Sequence, residues 1–148
     1  MLAIGSCLFA QNLQLSSQVS FGSFDWDELN DIIETPDGGY LLCGMSNGQA
    51  TGDKTSNTFG SQGSTDIWVL KVDVNHTIEW QKSYGGTSSE TGYSIYSTID
   101  GNYLISTSSN STNFGDGNKT APRQGGFDFW ILKINPNGDI IWQETFGG

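Results

Sequence analysis

A stretch near the end of this chain repeats an earlier stretch, and this repetition constrains the fold more than any other feature of the sequence. Residues 128–148 match residues 66–86 at a constant offset of 62. The matched positions are mostly aromatic residues and glycines, namely Trp68 and Trp130, Lys71 and Lys133, Trp80 and Trp142, and Tyr84-Gly85-Gly86 and Phe146-Gly147-Gly148. Because self-similarity at a fixed period marks a repeat architecture, we interpret the chain as a tandem repeat.

Each copy contains two strand–turn–strand patterns. In the first copy, residues 30–35 and 40–45 flank the turn Pro36-Asp37-Gly38-Gly39, and residues 67–73 and 78–84 form a second pair. The second copy has residues 93–98 and 103–106 around Asp100-Gly101-Asn102, then residues 128–134 and 139–146. An Asp-Gly turn between two strand-like runs is a strong hairpin signal. Helical periodicity is absent after residue 10, so the sequence predicts four antiparallel strands per copy.

The alternation of side chains predicts where each strand lies. Ile67–Val72 is apolar on both faces, so it must be covered on two sides, and we expect the same of Asp128–Ile134. Ile78–Tyr84 alternates between apolar and polar residues, which indicates a half-exposed outer strand, and Asp139–Phe146 is its counterpart.

Buried inner strands with a more polar last strand are typical of a propeller blade. The predicted fold is therefore all-β, with antiparallel four-stranded repeats forming two blades of a β-propeller-like fold; a β-sandwich is the alternative. Repeat 1 spans residues 23–85 and repeat 2 spans residues 86–148. Residues 11–22, with a strand at Leu13–Phe21, are predicted to supply the outer strand of a preceding or closing blade.

The number of blades is too small for a closed ring. Known rings have about four to eight blades, whereas this chain encodes two and one extra strand. We therefore expect a fragment of a longer protein, with further repeats beyond Gly148; closure of a ring by several copies is the alternative.

The first ten residues form a short apolar run that ends in Ala10. This run predicts a signal peptide at residues 1–10 and implies a secreted or outer cell-surface protein. Because no Lys or Arg precedes Lys54, either the signal is truncated or Met1 is not the true start. Acylation of Cys7, as in a lipoprotein, is the alternative. The run is too short to span a bilayer. After cleavage only Cys43 would remain, which excludes an internal disulfide.

The charge of the chain limits its partners. A net charge of -10 and a pI near 4.1 disfavour nucleic acids and anionic membrane surfaces, because both carry negative charge. Carbohydrates or another surface protein are the expected partners.

A set of motifs carries a resemblance to a known family. The set comprises Thr35-x-Asp37-Gly38-Gly39-Tyr40, Gly52-Asp53-Lys54-Thr55, Gly63-x-x-Asp66-x-Trp68-x-x-Lys71, Trp80 and Tyr84-Gly85-Gly86. It resembles the tandem propeller-like repeats of bacterial secreted and cell-surface proteins, many of which end in a sorting domain for type IX secretion. The resemblance covers Phe21 to Gly148 and implies a secreted or surface-anchored propeller-like protein, but no active site, because the family's biochemical role is generally unassigned. This sequence departs from the pattern at Asn102 and Ser23, and it lacks the sorting domain, as a fragment would.

The long Gly-, Ser-, Thr- and Asn-rich loops are the predicted functional region. In an antiparallel blade, the connections after the second and fourth strands emerge at the same end, and long loops on a rigid scaffold commonly carry function. Charged side chains from these connections form the predicted binding face, which comprises Asp53, Lys54, Glu90, Asp116, Lys119 and Arg123.

Other motifs have simpler structural interpretations. Gly44-Met45-Ser46-Asn47-Gly48 matches a nucleophile elbow only formally, because no helix follows it and His76, the one histidine, lies in a predicted turn. We expect Cys43 to be a core residue, and Asp66 and Asp128 to bind loop backbone through hydrogen bonds. Asp116-Gly117-Asn118 is a weak calcium-loop signal with one carboxylate and no closing Glu. No cofactor or metal is predicted, with calcium as the remaining alternative.

These observations predict a non-enzymatic module with a binding, adhesion or display role and no catalytic residues. A secreted polysaccharide-processing enzyme that uses loop carboxylates is one alternative. A structural spacer without a ligand is the other.

Overall fold

The computed structural model describes residues 17–112 and 117–148. This part of the chain contains eight strands and no helix; the strands are β1 (Asp27–Glu34), β2 (Tyr40–Ser46), β3 (Asp66–Val72), β4 (Ile78–Tyr84), β5 (Glu90–Ser97), β6 (Tyr103–Ser109), β7 (Asp128–Ile134) and β8 (Ile140–Phe146). The all-β prediction is confirmed. The predicted signal peptide, Cys7 and Asp116 lie outside the described residues. None of the described segments is a helix that could cross a membrane.

The strands form two antiparallel sheets in which consecutive strands are neighbours. Sheet 1 has the order β1-β2-β3-β4 and sheet 2 has the order β5-β6-β7-β8. Both sheets shift register at corresponding places, between Leu29 and Asp31 in β1 and between Gly92 and Ser94 in β5. The two sheets therefore share strand order and the position of this irregularity.

Tight turns connect the hairpins where the sequence predicts them. Gly38, Gly101 and Gly138 have φ angles of 82°, 78° and 77°, a left-handed conformation that glycine adopts without steric cost. His76 holds the position that corresponds to Gly138 and has a φ of 63°. Each predicted turn is thus confirmed, although the first strand of each sheet begins earlier than predicted, at Asp27 and Glu90.

The two sheets pack through faces that do not correspond. We call the side of sheet 1 that carries Leu41 and Cys43 its front, and the side of sheet 2 that carries the corresponding Leu104 and Ser106 its front; the opposite sides are the backs. The front of sheet 1 packs on the back of sheet 2. The shared core comprises Leu41, Cys43, Ile67, Val69 and Tyr84 from sheet 1, Ile95, Tyr103, Ile105, Trp130, Leu132 and Ile134 from sheet 2, and Ala121.

Hydrogen bonds fix the relative position of the sheets at two places. At β4, Trp80 Nε1 donates to Pro136 O at 3.0 Å, and Lys82 Nζ lies 2.6 Å from Asp139 Oδ1. At β1, Asp31 Oδ2 accepts from the backbone N–H of Ile95 at 2.9 Å. These contacts join residues that are about one repeat apart in sequence.

Strand β7 corrects the prediction that Asp128–Ile134 is buried on both faces. Trp130 and Leu132 on the back are fully buried, whereas Phe129 on the front is 70% exposed. The reason is that no other described segment packs on the front of sheet 2. Strand β3 is buried at every residue, as predicted, because sheet 2 covers its front and residues 17–21 lie against its back. Strands β4 and β8 are edge strands, as the outer-strand prediction requires.

The predicted strand Leu13–Phe21 is not a strand where the structure describes it. Residues 17–21 have no regular structure, and residues 13–16 lie outside the described part. Val19 and Phe21 lie along the back of sheet 1, where they and Leu42 and Leu70 line a cleft of about 290 Å³. The segment lies against the face of sheet 1 and pairs with neither of its edge strands, β1 and β4.

Candidate functional site

Four irregular segments meet at one edge of the two sheets, which we call the loop edge. These segments are residues 22–26, 47–65, 85–89 and the described parts of 110–127. The backbone N–H of Glu90 donates to Thr65 O at 2.7 Å, and that of Ser88 donates to Ser111 Oγ at 2.8 Å. The loops of the two sheets are therefore hydrogen-bonded to each other, and they lie at the same end of the sheets, as the sequence predicts.

Two predicted site residues, Lys54 and Lys119, are buried inside their loops. Lys54 Nζ donates to the carbonyl oxygens of Gly48 and Ser56 at 2.7 and 2.8 Å, and Lys119 Nζ donates to that of Ala121 at 2.6 Å. Burial lowers the pKa of both amino groups, and nearby carboxylates oppose this shift. Each lysine thus stabilises a loop from within, and its charge is not presented at the surface.

Glu90, a third predicted site residue, is fully buried beside Asp66. Glu90 Oε2 accepts from the backbone N–H of Gly86 at 2.9 Å, and its Oε1 accepts from Ser109 Oγ at 2.6 Å. Asp66 Oδ1 and Glu90 Oε2 both lie within 2.6 Å of the point where a Cβ on Gly85 would stand, so the two carboxyl groups face each other across this glycine. Only glycine leaves room for them.

The proximity of these acids changes the protonation of Asp66. Burial, and after it the negative charge of Glu90, raise the pKa of Asp66 to about 8. As placed, Asp66 Oδ1 is one of the buried side-chain oxygens of the described residues that lack a hydrogen-bond partner. A proton on Asp66 at neutral pH supplies the missing donor toward Glu90. The pair is closed to solvent and holds β3 and β5 together.

The remaining predicted site residues differ in position. Asp53 is exposed and its Oδ2 accepts from the backbone N–H of Gly22 at 3.2 Å. Arg123 is exposed in the second loop, where its Nε donates to Gly125 O. Among the described members of the predicted face, these two residues alone present charge to solvent; Asp116 lies outside the described part.

The structural counterpart of Asp53 is Asn118 and not Asp116, with which the sequence aligns it. Asn118 Oδ1 accepts from the backbone N–H of Gly85 at 3.0 Å, as Asp53 accepts from Gly22. Its Nδ2 donates to Ser83 O at 2.9 Å. The amide is therefore engaged within the fold, and no group of three or more His, Cys, Asp or Glu residues that could hold a metal occurs in residues 17–112 and 117–148.

Asp66 and Asp128 bind loop backbone, as predicted. Asp66 Oδ2 accepts from the backbone N–H of Phe59, and Asp128 Oδ2 accepts from those of Gln124 and Gly125 at 2.7 and 3.2 Å. Each aspartate therefore ties the end of a long loop to the first residue of the strand that follows.

Ser46 and His76 lie at opposite ends of sheet 1 and cannot form a nucleophilic pair. Ser46 is buried opposite Asp66, and its Oγ accepts from the backbone N–H of Gly48 at 3.0 Å. His76 lies in the β3–β4 turn, with its ring 6.4 Å from that of Tyr40. Cys43 is fully buried in the core, as predicted.

Two exposed aromatic residues at the loop edge were missed by the sequence analysis. Phe24 is 84% exposed and Trp26 is 55% exposed. Their backbone N–H groups donate to Thr51 Oγ1 and Asn47 Oδ1, both at 3.0 Å, so the segment is held in place. The available signal was a break in the repeat, since the corresponding residues of the second copy are Thr87 and Ser89.

Neither protein-family models nor curated proteins give a match to this chain.

Proposed function

We propose that this chain is a non-enzymatic, secreted or cell-surface module in which propeller-like repeats present a binding site for a neutral carbohydrate at the loop edge. The observation that carries the proposal is the pair Phe24 and Trp26, whose side chains are exposed while their backbone is anchored. Aromatic rings that remain in solvent on a fixed segment are a feature of binding surfaces.

The packing of the sheets supports a propeller-like arrangement over a β-sandwich. In a two-fold symmetric pair of repeats, the same face of each copy would meet at the interface. Here the front of sheet 1 meets the back of sheet 2. The two sheets are therefore stacked with their fronts pointing in the same direction. Successive propeller blades pack in this manner.

The internal bracing of the loops supports binding in preference to catalysis. Lys54, Lys119 and the Asp66–Glu90 pair are buried and satisfy groups of the loops themselves. Because Asp66 and Glu90 are fully buried, the pair gives a polysaccharide no access to its carboxyl groups. What remains exposed is a rigid frame with a few side chains in solvent, which is the usual setting of a binding loop.

The chemistry around the aromatic pair suits a neutral sugar. Ring faces contact the apolar face of a pyranose, while amide, hydroxyl and carboxylate groups bind its hydroxyls. Gln49 and Asp53 provide such groups at the same edge, and both are exposed. The net charge of -10 disfavours polyanionic glycans.

A glycan array followed by calorimetric titration of the best neutral glycan tests this proposal. We expect Trp26→Ala and Phe24→Ala each to weaken binding by about tenfold or more, since aromatic anchors dominate such interfaces. Trp142→Ala, which removes an exposed aromatic residue from the front of sheet 2, is the matched control and should bind as the parent does. Absence of binding to any neutral glycan, or equal binding by Trp26→Ala, would overturn the proposal. Binding to a basic protein alone would assign the site to a different ligand class and overturn it as well.

A further inference from the structure

The front of sheet 2 is an apolar face on which no other segment of residues 17–112 and 117–148 packs. Phe129 is 70% exposed and Trp142 is 43% exposed. Other large side chains exposed on the same side include Tyr93, Tyr96 and Phe146. Contiguous exposed apolar surface of this kind marks an interaction site in soluble proteins.

The corresponding residues of sheet 1 show what such a face contacts. Ile67, Trp80 and Tyr84 correspond to Phe129, Trp142 and Phe146, and the back of sheet 2 packs on them. Their partners are the core side chains of β5, β6 and β7 and the β7–β8 turn. The front of one such four-stranded sheet therefore packs on the back of another.

The back of sheet 1 is a face of that kind. It carries Tyr40, Leu42, Leu70 and Val72, which correspond to Tyr103, Ile105, Leu132 and Ile134 on the back of sheet 2. Residues 17–21 lie over part of it and leave a cleft. The chain thus has an open front at one end and a partly covered back at the other.

We propose that the front of sheet 2 docks on the back of sheet 1 of a second copy of this chain. The contact continues the interface that already joins the two sheets within one chain. Because it joins two different faces, it is heterologous and leads either to a closed ring or to an open assembly. At two sheets for each copy of residues 17–148, a ring of about four to eight blades takes about two to four copies.

The correspondence also assigns individual contacts. Trp80 Nε1 donates to Pro136 O within the chain, so Trp142 Nε1 is placed to donate to the carbonyl of Val74 in the second copy. Phe146 lacks the hydroxyl with which Tyr84 binds Gly138. Glu144 and Thr77 replace Lys82 and Asp139, so the ion pair is lost. The contact between copies is therefore weaker than the one within the chain.

Residues 17–22 compete with this contact. Gly22 O accepts from the backbone N–H of Asp53 at 2.8 Å, as Gly85 O accepts from that of Asn118 at 3.0 Å. Residues 17–22 therefore pack on sheet 1 in the way that the end of β4 packs on sheet 2. When the front of sheet 2 of a second copy docks on sheet 1, its β8 takes this position and displaces residues 17–22. Displacement costs little, because residues 17–20 are exposed and residues 17–21 belong to no strand.

Sedimentation equilibrium at increasing concentration tests the proposal independently of any carbohydrate. We expect an average mass that rises above the 16.0 kDa of one chain. The double variant Phe129→Ser/Trp142→Ser should remain a monomer, whereas Phe129→Leu/Trp142→Phe, the matched control that keeps both positions apolar, should still associate. Val19→Ser/Phe21→Ser should associate more tightly, because the competing segment is weakened.

Three results would overturn the proposal. One is a single-chain mass at every concentration up to about 1 mM, the range of weak specific contacts. The second is association that survives the double serine variant. The third is weaker association after the substitutions at Val19 and Phe21. Circular dichroism of each variant confirms that the sheets are intact, and since Phe129 and Trp142 are exposed, their substitution leaves the core unchanged.

Discussion

The hydroxyl of Tyr84, at the end of β4, donates a 2.6 Å hydrogen bond to the carbonyl oxygen of Gly138, in the turn between β7 and β8. This buried contact joins the front of sheet 1 to sheet 2 across 54 residues of sequence. It depends on two features of the sequence, a tyrosine where the second copy has Phe146 and a glycine with a φ of 77° in the turn.

Removal of this hydroxyl should weaken the contact between the sheets. In Tyr84→Phe the carbonyl of Gly138 remains buried without its donor, which we expect to lower the free energy of unfolding by about 1–2 kcal/mol. Urea denaturation followed by tryptophan fluorescence measures the difference. Phe146→Tyr, the reverse change on the open front of sheet 2, is the control and should leave stability within about 0.5 kcal/mol. Equal stability of Tyr84→Phe and the parent would show that the sheets do not depend on this bond.

The Asp66–Glu90 pair should make stability depend on pH. The pKa of Asp66 is raised from its usual 3.8 to about 8, so the folded chain binds this proton more tightly than the unfolded chain does. This proton's contribution to the free energy of unfolding is fully present below the pKa that Asp66 has in the unfolded chain. The contribution is lost as the pH rises to the folded value of about 8. We expect the free energy of unfolding to fall as the pH rises from about 4 to about 8, the interval in which the folded chain holds this proton and the unfolded chain does not.

Asp66→Asn is the matched variant for this effect, because its amide donates to Glu90 without a titrating proton. Its unfolding free energy should vary less with pH over the same range, so the parent loses stability relative to it as the pH rises. Contributions from ionisable groups that the two proteins share cancel in the difference. Parallel pH profiles for the two proteins would contradict the protonation assigned to Asp66.

The buried lysines should be required for stability, whereas the exposed loop carboxylate should not. Lys54→Met removes the donor to Gly48 O and Ser56 O and is expected to lower the free energy of unfolding by about 1.5–3 kcal/mol, the range for hydrogen bonds to charged groups. Asp53→Asn keeps the oxygen that accepts from Gly22 and, like Asn118, should change stability by less than about 0.5 kcal/mol. Thermal unfolding of the two variants compares them directly. Comparable losses in both would mean that Lys54 has no special role in its loop.

Gly92 should be intolerant of any side chain because it lies where β5 meets sheet 1. An added Cβ would stand 2.9 Å from Gly44 O and from Ile67 Cγ2, and 3.0 Å from Cys43 Sγ. We expect Gly92→Ala to destabilise the fold by about 1–3 kcal/mol through overpacking. Gly126→Ala, which meets nothing within 4 Å, is the control. If both alanine variants unfold at the same denaturant concentration, the close approach of the sheets is not supported.

Sequence reasoning located the strands but not the environment of the charged residues. The alternation and the Asp-Gly turns predicted β2, β3, β4, β7 and β8 within one residue at each end, because these signals are local, whereas β6 extends three residues beyond its predicted end. Lys54, Lys119 and Glu90 were expected at the surface, since charged residues are seldom buried. Their burial follows from loop carbonyls, serine hydroxyls and glycine N–H groups that only the folded loops bring to them.

The relation between the sheets was also beyond local signals. Apolar residues on both faces of Ile67–Val72 and of Asp128–Ile134 indicate that a partner could cover either side, but the pattern does not say which sides meet. Phe129 is exposed and Ile67 is buried although the two positions correspond. The difference arises because one front is covered by sheet 2, whereas no described segment covers the other.

The packing of the front of sheet 1 on the back of sheet 2 is the basis of the propeller-like arrangement and of the contact proposed between copies, and an assigned NOESY spectrum tests it most directly. We predict cross-peaks between the Trp80 indole ring and the Gly138 Hα protons, since a Cβ on Gly138 would lie 2.8 Å from that ring. We also predict cross-peaks between the Gly92 Hα protons and the γ2 methyl group of Ile67, since a Cβ on Gly92 would lie 2.9 Å from that carbon. Cross-peaks that instead join Leu41 to Leu104, the same position on the two sheets, would place front against front and contradict the account.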